Sequence, residues 1–230
     1  ALESSPKTLD PAHSTDAFSG QILGLLYSNL MKFDQNGLLV MDAAKHYSIK
    51  EEGRRYTFLL RENLHFSNGE TLTAEDVSFS FERLASMKED SPRAWLLNQV
   101  AGFEDFRSGK TKKLSGIRIL GEHKISIDLK RPFSPFPALL AMPQLAIVNK
   151  RFIEEGGTLT EESAGAGPYV LKEWRRESAS ATVPQPYLLP PSLIQDGLAC
   201  SLCNGHGHVL SPCWSCLGSG TCLNYLLIAP

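Results

Sequence analysis

The chain has 230 residues, a formal net charge of -2, 42% hydrophobic and 21% charged side chains, an ordinary balance for a globular protein. The charge speaks against a nucleic-acid binder, which clusters Lys and Arg to neutralise phosphates. No apolar run reaches the roughly 18 residues that a membrane span needs, and Ala1 opens directly into polar sequence with no signal peptide, so the chain reads as mature or cut at its front.

In chain order, Phe18 to Asn29 sets Ile22, Leu25, Leu26 and Asn29 at helical spacing, with Asp16 available as the N-cap. The run Tyr56-Thr57-Phe58-Leu59-Leu60-Arg61 is β-rich and predicts a strand with Tyr56, Phe58 and Leu60 on one face. Asn68-Gly69 marks a turn. Thr73 then caps a helix whose first turn holds Glu75 and Asp76 near the positive end of the dipole, with Val77, Phe81 and Leu84 as its buried stripe. Ile117 to Leu120 and Lys124 to Leu129 predict a hairpin around Gly121-Glu122-His123, with Ile125, Ile127 and Leu129 turned inward. The proline-spaced segment Pro132 to Pro137 leads into a short apolar helix, and Gln144 to Val148 and Tyr169 to Leu171 are expected as strands. The pattern is mixed α/β with antiparallel pieces.

Composition breaks sharply near Arg175 to Ser180. All five cysteines follow that point, and after Arg176 the only charged side chains are Glu177 and Asp196. Three parts are therefore expected: 1–175 as the folded unit, 176–196 as a Ser/Ala/Pro-rich linker, and 197–230 as a Cys/Gly-rich tail.

Several collinear segments of the first part carry a family resemblance. They are Leu9-Asp10-Pro11; Tyr27-Ser28-Asn29-Leu30 leading to Asp34; Tyr56-Thr57-Phe58-Leu59-Leu60-Arg61 with Phe66-Ser67-Asn68-Gly69; Leu72-Thr73-Ala74-Glu75-Asp76-Val77; and Gly165-Ala166-Gly167-Pro168-Tyr169. Together they resemble the extracellular solute-binding proteins of family 5, the peptide- and nickel-binding capture components of ABC importers. Asn68 stands where that family usually has Asp, and the resemblance is traced as far as Trp174. It implies an α/β fold, the first lobe of a periplasmic-binding-protein type II-like architecture with a mixed sheet and flanking helices. That lobe is expected to be truncated, without its opposing lobe, and followed by a small cysteine-rich or disordered tail. The implied partners are an oligopeptide or similar small solute and a membrane permease, in the periplasm or at the cell surface, with no cofactor for the lobe. By position, Thr15, Asp16, Ala17, Phe18 and Ser19 correspond to the family's ligand-facing turn. The plainer reading of Asp16 is an N-cap and of Phe18 a core residue. Phe133 and Phe136 could line a pocket, with core packing the simpler role.

In the tail, Cys200-Ser201-Leu202-Cys203-Asn204-Gly205-His206-Gly207 and Cys213-Trp214-Ser215-Cys216-Leu217-Gly218-Ser219-Gly220 both fit CxxCxGxG and resemble the zinc region of DnaJ-type cochaperones. Cys200, Cys203, Cys213 and Cys216 offer four thiolates, enough to close one structural zinc site with no open position. Cys222 is left over. A disulfide-forming tail and a misjoined, inactive end are the alternatives, and a zinc-binding chaperone or thiol-redox module is the competing function. Catalysis is not indicated: His13, His46, His65 and His123 are scattered, and the pairs Glu51-Glu52 and Glu161-Glu162 read as solvated faces.

Overall fold

The computed structural model describes residues 6–159, 164–171, 173–175, 178–180 and 183–184. After a short 3-10 turn at Pro11–His13, helix α1 spans Ala17–Leu26. It starts where the sequence predicts, because the Asp16 carboxylate accepts the Ser19 N–H at 2.8 Å and satisfies one of the helix's orphan donors. It ends three residues before Asn29. That side chain donates instead to the carbonyls of Leu140 and Met142, pinning a loop more than a hundred residues away.

Strands β1 (Met31–Phe33) and β2 (Leu39–Met41) form a small hairpin, and β3 (Ala44–Lys50) and β4 (Arg55–Leu60) begin the main sheet. Helix α2 (Ala74–Ala85), the short helix α3 (Phe103–Arg107), β5 (Ile117–Gly121), β6 (Lys124–Asp128) and the helices α4 (Phe136–Leu139) and α5 (Lys150–Glu154) follow. Strands β7 (Tyr169–Val170), β8 (Glu173–Arg175), β9 (Ser178–Ser180) and β10 (Val183–Pro184) complete the described chain. The main sheet has the order β3-β4-β6-β5. A mixed sheet is the expectation from the resemblance; among the described residues every ladder between named strands is antiparallel.

Strand β4 alternates as its period-2 pattern requires. Tyr56, Phe58 and Leu60 are buried, and so are Ile125, Ile127 and Leu129 along β6 and its exit. Helix α2 lies against β5 and adds Val77, Phe81 and Leu84 to the same core. Its start is locked by Asp76, whose Oδ2 accepts from both the N–H and the hydroxyl of Thr73 at 2.9 and 2.8 Å. Phe136 is fully buried, with its ring 5.2 Å from that of Tyr56, so the core reading holds for it; Phe133 packs half-buried on the same cluster. Each such large side chain contributes about 1.5–3 kcal/mol by leaving water. A second cluster gathers Leu9, Leu23, Leu26, Tyr27, Ala146, Val148 and Leu159 around α1.

Two expectations change. Gln144 to Val148 is not a strand: Pro143–Leu145 forms a 3-10 turn, and only Val148 makes a bridge, with Gly165. Pro143 brings no N–H to a ladder, and the Gln144 side chain turns back to the Ser14 carbonyl at 2.8 Å. Within the segment read as a linker, the backbone of β9 pairs with β8, and that of β10 pairs with β7. A Ser/Ala/Pro composition hides such strands, because backbone pairing needs only a partner edge. No helix among the described residues is long and apolar enough to cross a membrane.

Candidate ligand-facing segment

Residues 10 to 19, the 3-10 turn and the link into the start of α1, are held at both ends. At the first end, the Arg83 guanidinium grips the Asp10 carboxylate with both arms, at 2.8 and 2.7 Å, and reaches Glu89 at 3.0 Å. His13 adds Nδ1 against Asp10 at 3.1 Å and Nε2 against the Glu89 carbonyl at 2.9 Å. Burial pushes the Asp10 carboxyl up, but the hydrogen bonds and charge of Arg83, with His13 and the Ala12 N–H, outweigh it and hold the group below its ordinary value. For His13, burial acts downward, and the Glu89 carbonyl and the Asp10 carboxylate more than reverse it, so the imidazole titrates above its ordinary value. Asp10, His13 and Glu89 place possible metal-ligand atoms within 4.8 Å of one another. The guanidinium of Arg83 already fills that role, so the cluster is an ion-pair clamp.

At the second end, Asp16 and Ser19 hold each other. Besides capping α1, Asp16 accepts the Ser19 hydroxyl at 2.7 Å, and that hydroxyl accepts the N–H groups of Lys7 at 3.0 Å and Thr8 at 3.3 Å. Slight burial raises the Asp16 carboxyl, and the two hydrogen bonds from Ser19 bring it below its ordinary value. Ser19 is therefore buried and fully occupied within the chain, Asp16 and Phe18 are half-buried, and Thr15 and Ala17 are exposed. The five residues that the resemblance singles out thus divide into structural and accessible ones, and Asp16 acts as a cap.

Beside them lies a feature that sequence reasoning missed. Ser14 is fully buried and its hydroxyl has no partner among the described residues; nor has the Oε1 of Gln144, whose amide nitrogen donates to the Ser14 carbonyl. Buried polar atoms without partners are uncommon, and they flag places where a ligand or water completes the bonding. No signal in the sequence joins two residues 130 positions apart.

The segment Gly165 to Tyr169 packs against the far end of α1. A Cβ on Gly165 would sit 2.0 Å from the Leu26 carbonyl oxygen, and one on Gly167 would sit 2.4 Å from the Leu26 carbonyl carbon, so only glycine allows this approach to the end of α1. The contact is sealed by the Gly167 N–H donating to the Leu26 carbonyl at 2.9 Å and the Ser28 hydroxyl to the Ala166 carbonyl at 2.8 Å. The cysteines Cys200, Cys203, Cys213 and Cys216 lie outside the described residues.

Comparison with known proteins bears on the family and the fold. The family model described as bacterial extracellular solute-binding proteins, family 5 Middle, matches residues 39–188, past the boundary at 175 that composition suggests. The dipeptide-binding protein of Lactococcus lactis subsp. cremoris is 29% identical over 170 residues, 72% of this chain and 31% of its own length. The periplasmic oligopeptide-binding protein of Salmonella typhimurium is 31% identical over 167 residues, 67% of this chain and 31% of its own. Among solved structures, the murein tripeptide binding protein of Escherichia coli superposes with a TM-score of 0.71 at 28% identity, covering 80% of this chain and 37% of that one. The chain spans about a third of the length of the curated relatives it matches, 31% for each of the two named above.

Proposed function

The chain belongs to the bacterial extracellular solute-binding proteins of family 5, and from that premise we propose that it supplies the first-lobe part of the substrate-binding component of an ABC importer. Its solute is an oligopeptide or a related small molecule, delivered to a membrane permease outside the cytoplasm, and it performs no chemistry on it. The observation that carries this reading is the clamped segment 10–19, where Thr15 and Ala17 stay exposed beside the unpartnered Ser14 hydroxyl and Gln144 carbonyl oxygen. Relatives named for dipeptide and oligopeptide binding support the solute class.

Affinity follows from the share of the fold that is present. A two-lobed binder buries its ligand between the lobes and draws most of its contacts from their closure. This chain covers about a third of such proteins, so its own contacts give a weak site. Calorimetric titration of the 230-residue chain with trialanine tests both statements. Dissociation constants in the millimolar range, weakened by changes at Thr15, agree with the proposal. Nanomolar binding contradicts the one-lobe argument, and no detectable effect of the segment on binding contradicts its assignment.

A further inference from the structure

The outward face of the main sheet carries a second constellation that shares no residue with segment 10–19. The strand register builds it. Arg118 on β5 stands opposite Ser126 on β6, Ser126 stands opposite Thr57 on β4, and Lys124 lies two residues before Ser126 on the same face, opposite Leu59. Directly opposed side chains have Cβ atoms about 4.5–5.5 Å apart, and same-face neighbours along a strand are about 7 Å apart. The four polar side chains therefore stand as neighbours on one face of the sheet. They line an open-sided cavity of about 520 Å³, rimmed by His46, Lys50 and Arg55.

Three observations give this face its chemistry. Cations outnumber anions: Lys50, Arg55, Arg118 and Lys124 stand against Asp128 and Glu51, which are engaged with the two arginines. Lys50 and Lys124 have no ion-pair partner among the described residues. Ser126 is 1% exposed, and its hydroxyl has no hydrogen-bond partner there, although it faces the cavity rather than the core. Such a buried, unpaired hydroxyl is costly, and a ligand acceptor would relieve it.

We infer that this face binds a phosphate group. The donors arrive from three strands as a planar guanidinium fork, an ammonium and two hydroxyls, which suits an oxyanion with three outward oxygens better than a carboxylate with two. Arg118 reaches such a group by exchanging its exposed pairing with Asp128, a pairing of small energy in water. Asp128 stays neutralised by Arg55 when that happens.

Amide chemical-shift titration of the whole 230-residue chain tests the inference, with inorganic phosphate and tripolyphosphate as probes and sodium chloride holding ionic strength constant. Saturable shifts at residues 57, 118, 124 and 126 are expected. The double variant Arg118→Gln, Lys124→Gln weakens the apparent affinity at least about tenfold, and Ser126→Ala weakens it about threefold. Lys130→Gln, which removes an exposed lysine outside the cavity, leaves it unchanged. Thermal unfolding of each variant confirms that loss of binding is not loss of fold. Equal affinity for both probes assigns a free-ion site, and preference for tripolyphosphate assigns phosphates carried on a chain; either supports the phosphate chemistry. Shifts that chloride reproduces, affinity untouched by the double variant, or tighter binding of a hexaglutamate peptide would overturn it.

Discussion

Arg83 and Asp10 meet fork to fork, Nη1 on Oδ1 at 2.8 Å and Nη2 on Oδ2 at 2.7 Å, across 73 positions of sequence. The pair ties the first turn of the chain to the end of α2, with both side chains only 11% exposed. Desolvation makes such a pair a modest source of stability while both partners are present and a serious loss when one is removed.

Arg83→Gln is thus expected to destabilise the fold by about 3 kcal/mol, because it strands the Asp10 carboxylate. Arg83→Lys recovers part of that, since an ammonium cannot reproduce the two-armed grip. Urea unfolding of the two variants reads the difference; equal stability of Arg83→Gln and the parent would show that the clamp contributes nothing.

The same clamp makes stability depend on pH from both sides. Asp10 is depressed from its ordinary 3.8, so its contribution is complete above that value and is lost as pH falls through the folded value. His13 is raised from its ordinary 6.5, so its contribution is complete below that value and is lost as pH rises through the folded one. Both His13 nitrogens face acceptors, the Asp10 carboxylate and the Glu89 carbonyl, which only the imidazolium satisfies. The clamp is strongest between those two values. The His13 part is about 0.5 kcal/mol, because that side chain is 42% exposed and screened. Unfolding of His13→Ala beside the parent at about pH 5 and about pH 8.5, on either side of the ordinary imidazole value, is the check: the gap between them closes at the higher pH.

Asp16 lends itself to separating cap from ligand contact. Asp16→Ala removes the cap and costs about 1 kcal/mol, whereas Asp16→Asn keeps it, since Asn caps as well as Asp. If the carboxylate also meets the solute, Asp16→Asn weakens trialanine binding several-fold, beyond the small stability loss from the Ser19 hydroxyl bond that its amide cannot accept. A variant that binds as the parent does confines Asp16 to capping.

Glycines at two places predict opposite signs. Gly167→Ala drives a Cβ into the Leu26 carbonyl and costs about 2 kcal/mol or more. At Gly24, inside α1, an added Cβ would meet nothing within 4 Å, so Gly24→Ala raises stability by about 0.5–1 kcal/mol through helix propensity. Melting temperatures measured side by side test both signs.

Local chemistry was legible residue by residue. Asp16 announces a helix start because its short side chain reaches an orphan N–H three residues on, Thr73 and Asp76 announce another because the Asp76 carboxylate reaches back to Thr73 across the first turn, and Tyr56, Phe58 and Leu60 announce an inward face because a strand repeats every two. The collinear motifs that resemble the solute-binding family rest on such local rules, and the glycines of Gly165 to Pro168 find their reason in the end of α1. What the chain order could not express is which distant groups become neighbours. The Asp10–Arg83 clamp, the Ser14–Gln144 pair and the Arg118–Ser126–Thr57 row each depend on strand register or on packing across dozens of residues. Gln144 and Ser178 to Ser180 took conformations against their local reading, a 3-10 turn and a strand, because partner groups elsewhere set their backbone bonding. Local propensity is decided by a side chain and its next few neighbours, and a site is decided by where the folded chain brings its far segments together.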